Sequence, residues 1–276
     1  MSKHADVALA LVQEDPEFDN AAATDALPLA IAAQSLEVCH ELVLRGADPD
    51  RPISFQGTAF LSAIGTGHEG IIRLLTPRTA LERKFSWGWT AIFFAVNSGK
   101  LESLEILVEA GVDLQKKADD GSSLLHVAAK LKSVEVVERL LKLGLDIDAR
   151  DSSGSTPLMI AAEHGQVGIV QALLKDSARA LQRDNDGRTV LHIAATHGSV
   201  KLLTSLGEWF PSVDTTDGDG RTALSHAVES EQIAAVRWLL KRGADPNLVD
   251  REGRSPRLDA RELKGVSWPR ELLKDE

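Results

Sequence analysis

The side chains that could do chemistry are eight histidines, one cysteine and several aspartate-rich stretches. A zinc site needs three or four His, Cys or carboxylate ligands converging on one point. His164 and His197 repeat in register, but Ser230 occupies the next equivalent position, so no third ligand follows. A nucleophilic Cys39 would need a neighbouring base. His40 projects roughly 100° away from it on a helix, and with Leu36 and Val43 nearby Cys39 reads as a small buried hydrophobe. The clusters Asp184-Asn185-Asp186-Gly187 and Asp214, Asp217, Asp219, Gly220 lack the loop length and closing glutamate of a calcium loop. Asp, Asn and Gly there make tight turns. Gly65 and Gly67 have neither the lysine nor the further spaced glycine of a phosphate loop. The expectation is a chain that is not an enzyme, with no metal and no cofactor.

The same residues fall into a larger pattern. Gly88, Gly121, Gly154, Gly187, Gly220 and Gly253 stand 33 residues apart at every step. The segments after them align without gaps: Gly121-Ser-Ser-Leu-Leu-His-Val-Ala-Ala129, Gly154-Ser-Thr-Pro-Leu-Met-Ile-Ala-Ala162 and Gly187-Arg-Thr-Val-Leu-His-Ile-Ala-Ala195. Looser copies begin near Gln56 and around Pro28. In the copy after Gly121, Leu125, Ala128 and Ala129 share one face of a short helix. Val136, Val137, Leu140 and Leu141 share one face of the next. Thr156 can cap a helix whose first turn holds Pro157. Gly46, Gly111, Gly144 and Gly243 stand where a left-handed helix end belongs. Each copy is amphipathic and must stack on its neighbours to bury its apolar face.

Thr156-Pro157-Leu158, Leu191-His192 and Gly243-Ala244-Asp245-Pro246-Asn247, at this period, resemble the ankyrin repeat over about residues 23–262. The resemblance implies an all-α solenoid of stacked antiparallel helix pairs with projecting hairpin loops. It also implies a concave face that binds other proteins. His126 and His192 hold the family's histidine position, which implies rings bonded to backbone in the adjacent hairpin. Thr79 and Ser177 depart from the capping glycine, and residues 206–213 distort the end of their copy. One domain is expected over 1–276: an N-terminal cap over 1–22, seven repeats over 23–252 and a C-terminal cap over 253–276. Residues 5–13 read as a capping helix. Ser255-Pro256 opens a polar helix over 257–264, and Trp268-Pro269 a last short one. With polar caps at both termini, the array is expected to end where the chain ends.

Charge narrows the partners. The formal net charge is -10, with 10 basic and 18 acidic residues in 1–120. No basic stripe for nucleic acid is present, and an anionic membrane surface would repel the chain. No membrane span or signal-peptide run is visible, and one cysteine cannot form an internal disulfide. A cytoplasmic or nuclear setting is the expectation.

Hairpin tips in such an array need only polar residues. Here one copy reads Phe85-Ser86-Trp87-Gly88-Trp89, and the boundary before it reads Ile53-Ser54-Phe55, whereas later tips are polar. Two readings stand. These aromatics fold back onto Phe93 and Phe94 as a local cluster, or they form an exposed anchor for a partner. The expected partner-binding residues are Phe55, Trp87, Trp89, Asn97 and Ser98. The partner is expected to be another protein with basic residues around an apolar segment. The leading function is a protein-interaction module, a scaffold or inhibitor. A structural or self-associating role, in which the aromatic loops join two copies, and a regulatory or substrate-recruiting arm of an enzyme on another chain or domain are the alternatives.

Overall fold

The computed structural model describes residues 19–54, 57–263 and 265–274. The capping helix expected over 5–13, and Phe55, lie outside the described residues. The chain divides into two units, 1–120 and 121–276.

The first unit holds three helix pairs among its described residues: α1 (Asn20–Ala32) with α2 (Leu36–Leu44), α3 (Ala59–Thr66) with α4 (Glu69–Leu75), and α5 (Ala91–Ser98) with α6 (Leu101–Glu109). First helices pack on first helices and second on second. Alanines make the close approach feasible: Ala23, Ala63 and Ala95 are fully buried. Between the pairs run extended loops. One carries the short antiparallel pair β1 (Pro52–Ser54) and β2 (Gly57–Thr58).

The second unit repeats the plan with α7 (Leu124–Ala129) and α8 (Val134–Lys142), α9 (Pro157–Glu163) and α10 (Val167–Lys175), α11 (Val190–His197) and α12 (Val200–Leu206), α13 (Ala223–Glu229) and α14 (Ile233–Lys241). Then come α15 (Pro256–Glu262) and the short α16 (Arg270–Leu273). Most of the stripe read from the sequence is packed: Leu125, Val136, Val137 and Leu140 are buried, while Leu141 is only partly so.

Local chemistry sets the helix ends. Thr58, Thr156 and Thr222 accept a hydrogen bond from the third helical N–H, satisfying one of the free donors of a helix start. Two of the copies without a capping glycine differ. Ser177 takes the left-handed backbone itself, at φ 74°. Thr79 stays extended after a tight turn over Thr76–Arg78. Residues 206–213 distort as the sequence suggests: α12 stops at Leu206 and tightens over Gly207–Trp209.

Candidate functional site

In the second unit the hairpins that end at Gly154, Gly187, Gly220 and Gly253 are each closed by a four-residue turn, and a carboxylate holds it. Asp151 Oδ1 accepts from the N–H groups of Ser153 and Ser155, each at 2.9 Å. Asp184, Asp217 and Asp250 repeat the arrangement with the residues two and four further on. Adjacent hairpins are joined by backbone bonds from Asn185 to Ser153, Gly218 to Asp186 and Arg251 to Asp219. Tip charges are largely paired within this unit. Arg188 meets Asp184 and Asp186, and Arg221 meets Asp219 and Glu229.

The histidine at the fifth position after the glycine belongs to the same scaffold. His126 Nδ1 lies 2.8 Å from the Ser123 hydroxyl, and its Nε2 lies 2.9 Å from the Ser155 carbonyl in the next hairpin. His192 repeats the first contact with Thr189 at 2.9 Å. Its buried Nε2 faces the backbone of Thr215 and Arg221 in the next hairpin without a well-aligned hydrogen bond. Burial, reinforced by the neighbouring His226, pushes the His192 pKa down to about 4. Asp217 is held below its ordinary range: burial opposes this, but the bond from His226 at 2.8 Å and the N–H groups of Arg221 and Asp219 outweigh it. These groups organise hairpins. Among the described residues no set of three or more His, Cys, Asp or Glu is placed to hold a metal ion. Cys39 is buried, and that burial pushes its thiol up to about 12, which leaves negligible thiolate near neutral pH.

The hairpin over residues 85–89 is built differently. Its backbone closes as the others do, with the Phe85 N–H donating to the Trp89 carbonyl at 2.8 Å. Phe85, however, stands where Asp151 or Asp184 stands, so no carboxylate braces the turn. Phe93 stands where His126 and His192 stand, so no ring nitrogen meets the capping threonine. The Thr90 hydroxyl is buried without a partner, whereas Thr58 and Thr156, likewise without that histidine, accept from a helical N–H. Aromatic contacts replace the polar scaffold. Trp89 stacks on Phe93 at 5.8 Å and meets Phe94 edge-on at 5.2 Å. Phe85 meets Phe94 edge-on at 5.6 Å, and Arg83 lies over the Phe85 ring at 5.4 Å.

Trp87 stands apart. It touches Trp89 edge-on at 6.0 Å, yet it is 61% exposed and sits in left-handed backbone at φ 62°. That conformation is unfavourable for a bulky residue. Its carbonyl accepts from the Asp119 N–H of the next hairpin at 2.9 Å, so the unfavourable backbone is pinned. Gly88 has no side chain for a reason: a Cβ there would lie 2.2 Å from the Asp119 carboxylate.

The two sequence readings therefore divide between two residues. Trp89 is half-buried on Phe93 and Phe94, while Trp87 projects. Asn97 is exposed at the far end of α5, about 12 Å of helix from Trp89. The Ser98 hydroxyl is engaged at that helix end, donating to the Ala95 carbonyl at 2.7 Å and accepting from Lys100. Sequence reasoning passed over Asp119, whose carboxylate lies against Gly88. The signal available was its position in the tip of the following copy.

A family profile described as "Ankyrin repeats (3 copies)" matches residues 27–118, 111–184 and 177–250. The chain belongs to the ankyrin-repeat family. Ankyrin arrays act as protein-interaction and scaffolding units, which is the general role that membership gives this chain. Compared with curated proteins, the chain has no significant match. No helix among the described residues is long and apolar enough to cross a membrane.

Proposed function

We propose that this ankyrin protein binds a partner protein through the hairpin over residues 85–89, with Trp87 as the anchor, Trp89 as its packed support and Asn97 and Ser98 as an adjoining edge. Phe55 is assigned to the same face by register alone. The repeats over 23–252, with caps over 1–22 and 253–276, carry that hairpin in this reading.

The observation that carries it is the coincidence in one hairpin of an exposed indole, a tryptophan in left-handed backbone and a buried hydroxyl without a partner. The hairpins braced by Asp151, Asp184, Asp217 and Asp250 carry neither an exposed indole nor a non-glycine residue in left-handed backbone, so folding does not require those two. Unfavourable features that the fold does not need concentrate at functional sites. An exposed tryptophan is also the side chain that most often dominates an interface. The acidic balance of residues 1–120 favours a partner with basic residues, and that attraction would speed encounter and weaken with salt.

The test is comparative capture from the native cell with the wild-type chain and a Trp87→Gly variant of equal melting temperature. One or more proteins retained by the wild type and lost by the variant are expected. Equal retention by both removes Trp87 as the anchor. Light scattering on the same pair addresses self-association: a dimer that becomes a monomer on substitution identifies a second copy as the partner.

A further inference from the structure

We propose that the partner residue seated on Trp87 is an arginine, its guanidinium stacked on the exposed indole and paired with Asp119; this rests on the anchor reading above.

The two indoles flanking Gly88 are not equivalent. Trp89 spends its ring on Phe93 and Phe94, so the free indole surface belongs to Trp87. Beside it lies a carboxylate. Asp119 is tied to Trp87 by the 2.9 Å backbone bond, and its Oδ1 occupies the space a side chain at Gly88 would need. Asp119 is exposed, and among the described residues its carboxylate has no ion-pair partner. Tip carboxylates in the second unit differ: Asp186 and Asp219 are already bound by Arg188 and Arg221. In the hairpin that holds Asp119, Ser122 stands after the glycine where those hairpins carry arginine, so a partner's cation is the one that can pair it there.

An aromatic face next to an unpaired carboxylate selects for a cation that can stack and hydrogen-bond at once. Tryptophan is the best aromatic platform for cations. Arginine is planar, weakly hydrated and rigidly forked, so it stacks and pairs together, whereas lysine is a compact, strongly hydrated charge. The same hairpin already accommodates one guanidinium on an aromatic face, Arg83 over Phe85. That arginine is engaged elsewhere through its bond to the Asp50 carbonyl at 2.8 Å.

The probes are three capped peptides, Gly-Leu-Arg-Leu-Gly and its lysine and citrulline counterparts, titrated to millimolar concentration into the full isotope-labelled chain. The Trp87 indole N–H signal, identified by its loss in Trp87→Gly, reports binding. Citrulline keeps the shape of arginine without its charge. The arginine peptide should bind about three- to thirtyfold tighter than the citrulline peptide, the combined size of an exposed cation–π contact and a surface ion pair. Asp119→Asn should reduce that preference while leaving affinity for the citrulline peptide unchanged. Equal binding of arginine and citrulline peptides at Trp87, or an arginine preference untouched by Asp119→Asn, overturns the arginine assignment and leaves the anchor standing. A Trp87 signal unmoved by all three peptides overturns both.

Discussion

Replacing the two tryptophans one at a time should separate the anchor from its support. A tryptophan presents up to about 250 Å². With Trp87 61% exposed, about 100 Å² of that is covered, worth about 2.5 kcal/mol at most. Trp87→Gly forfeits this but relieves the left-handed backbone at φ 62°, which offsets about 1–2 kcal/mol. The net change in stability should be about 1 kcal/mol or less. Trp89→Ala has no such compensation. It strips a stacked contact from Phe93, an edge contact from Phe94 and the support beneath Trp87, and should cost about 2–4 kcal/mol, slightly below the range for a fully buried tryptophan. Urea denaturation followed by far-ultraviolet circular dichroism measures both. A Trp87→Gly variant as destabilised as Trp89→Ala would show that Trp87 is a packing residue, and the argument from exposure would fail.

Two further outcomes follow from the packing. Leu140 is fully buried in α8, so Leu140→Ala should cost about 2–5 kcal/mol in the same denaturation assay, and a loss below about 1 kcal/mol would mean the helix stripe is misassigned. His192 titrates at about 4 in the folded chain against an ordinary 6.5, so the unfolded chain takes up a proton that the folded pocket refuses. Stability is then full above pH 6.5 and falls as the pH drops toward 4, by up to about 3 kcal/mol; His192→Gln should flatten that part of the stability–pH curve, and an unchanged slope would refute the assignment.

The architecture was legible because its determinants are local and repeated. Gly88 through Gly253 mark each turn, threonines such as Thr156 and Thr222 mark helix starts, and the Val136–Leu140 stripe marks the packed face. The exceptions needed coordinates. Ser177 and Thr79 look like the same departure in sequence, yet one adopts left-handed backbone and the other an extended one after a tight turn. The aromatic hairpin was legible as an anomaly but not in its roles. Trp87 and Trp89 flank the same glycine, and what separates them is the sign of one backbone angle together with the rings offered by Phe93 and Phe94. The orphaned hydroxyl of Thr90 was not readable, since Thr58 and Thr156 also lack the histidine that engages Ser123 and Thr189 and yet accept from a helical N–H.

The aspartate brace has an evolutionary consequence. In the second unit the turn is held by a residue outside the tip: Asp151, Asp184, Asp217 and Asp250 set the loop, and the residues between each aspartate and its glycine can drift without disturbing it, apart from Gly218, where a Cβ would lie 2.6 Å from the Asp186 carbonyl. Those tips can explore new surfaces one mutation at a time. The hairpin over residues 85–89 has no brace, and its tryptophans are at once the shape of the loop and its exposed chemistry. A lineage altering one would have to alter the other with it, so this loop should change rarely and in coordinated steps while its neighbours diverge freely.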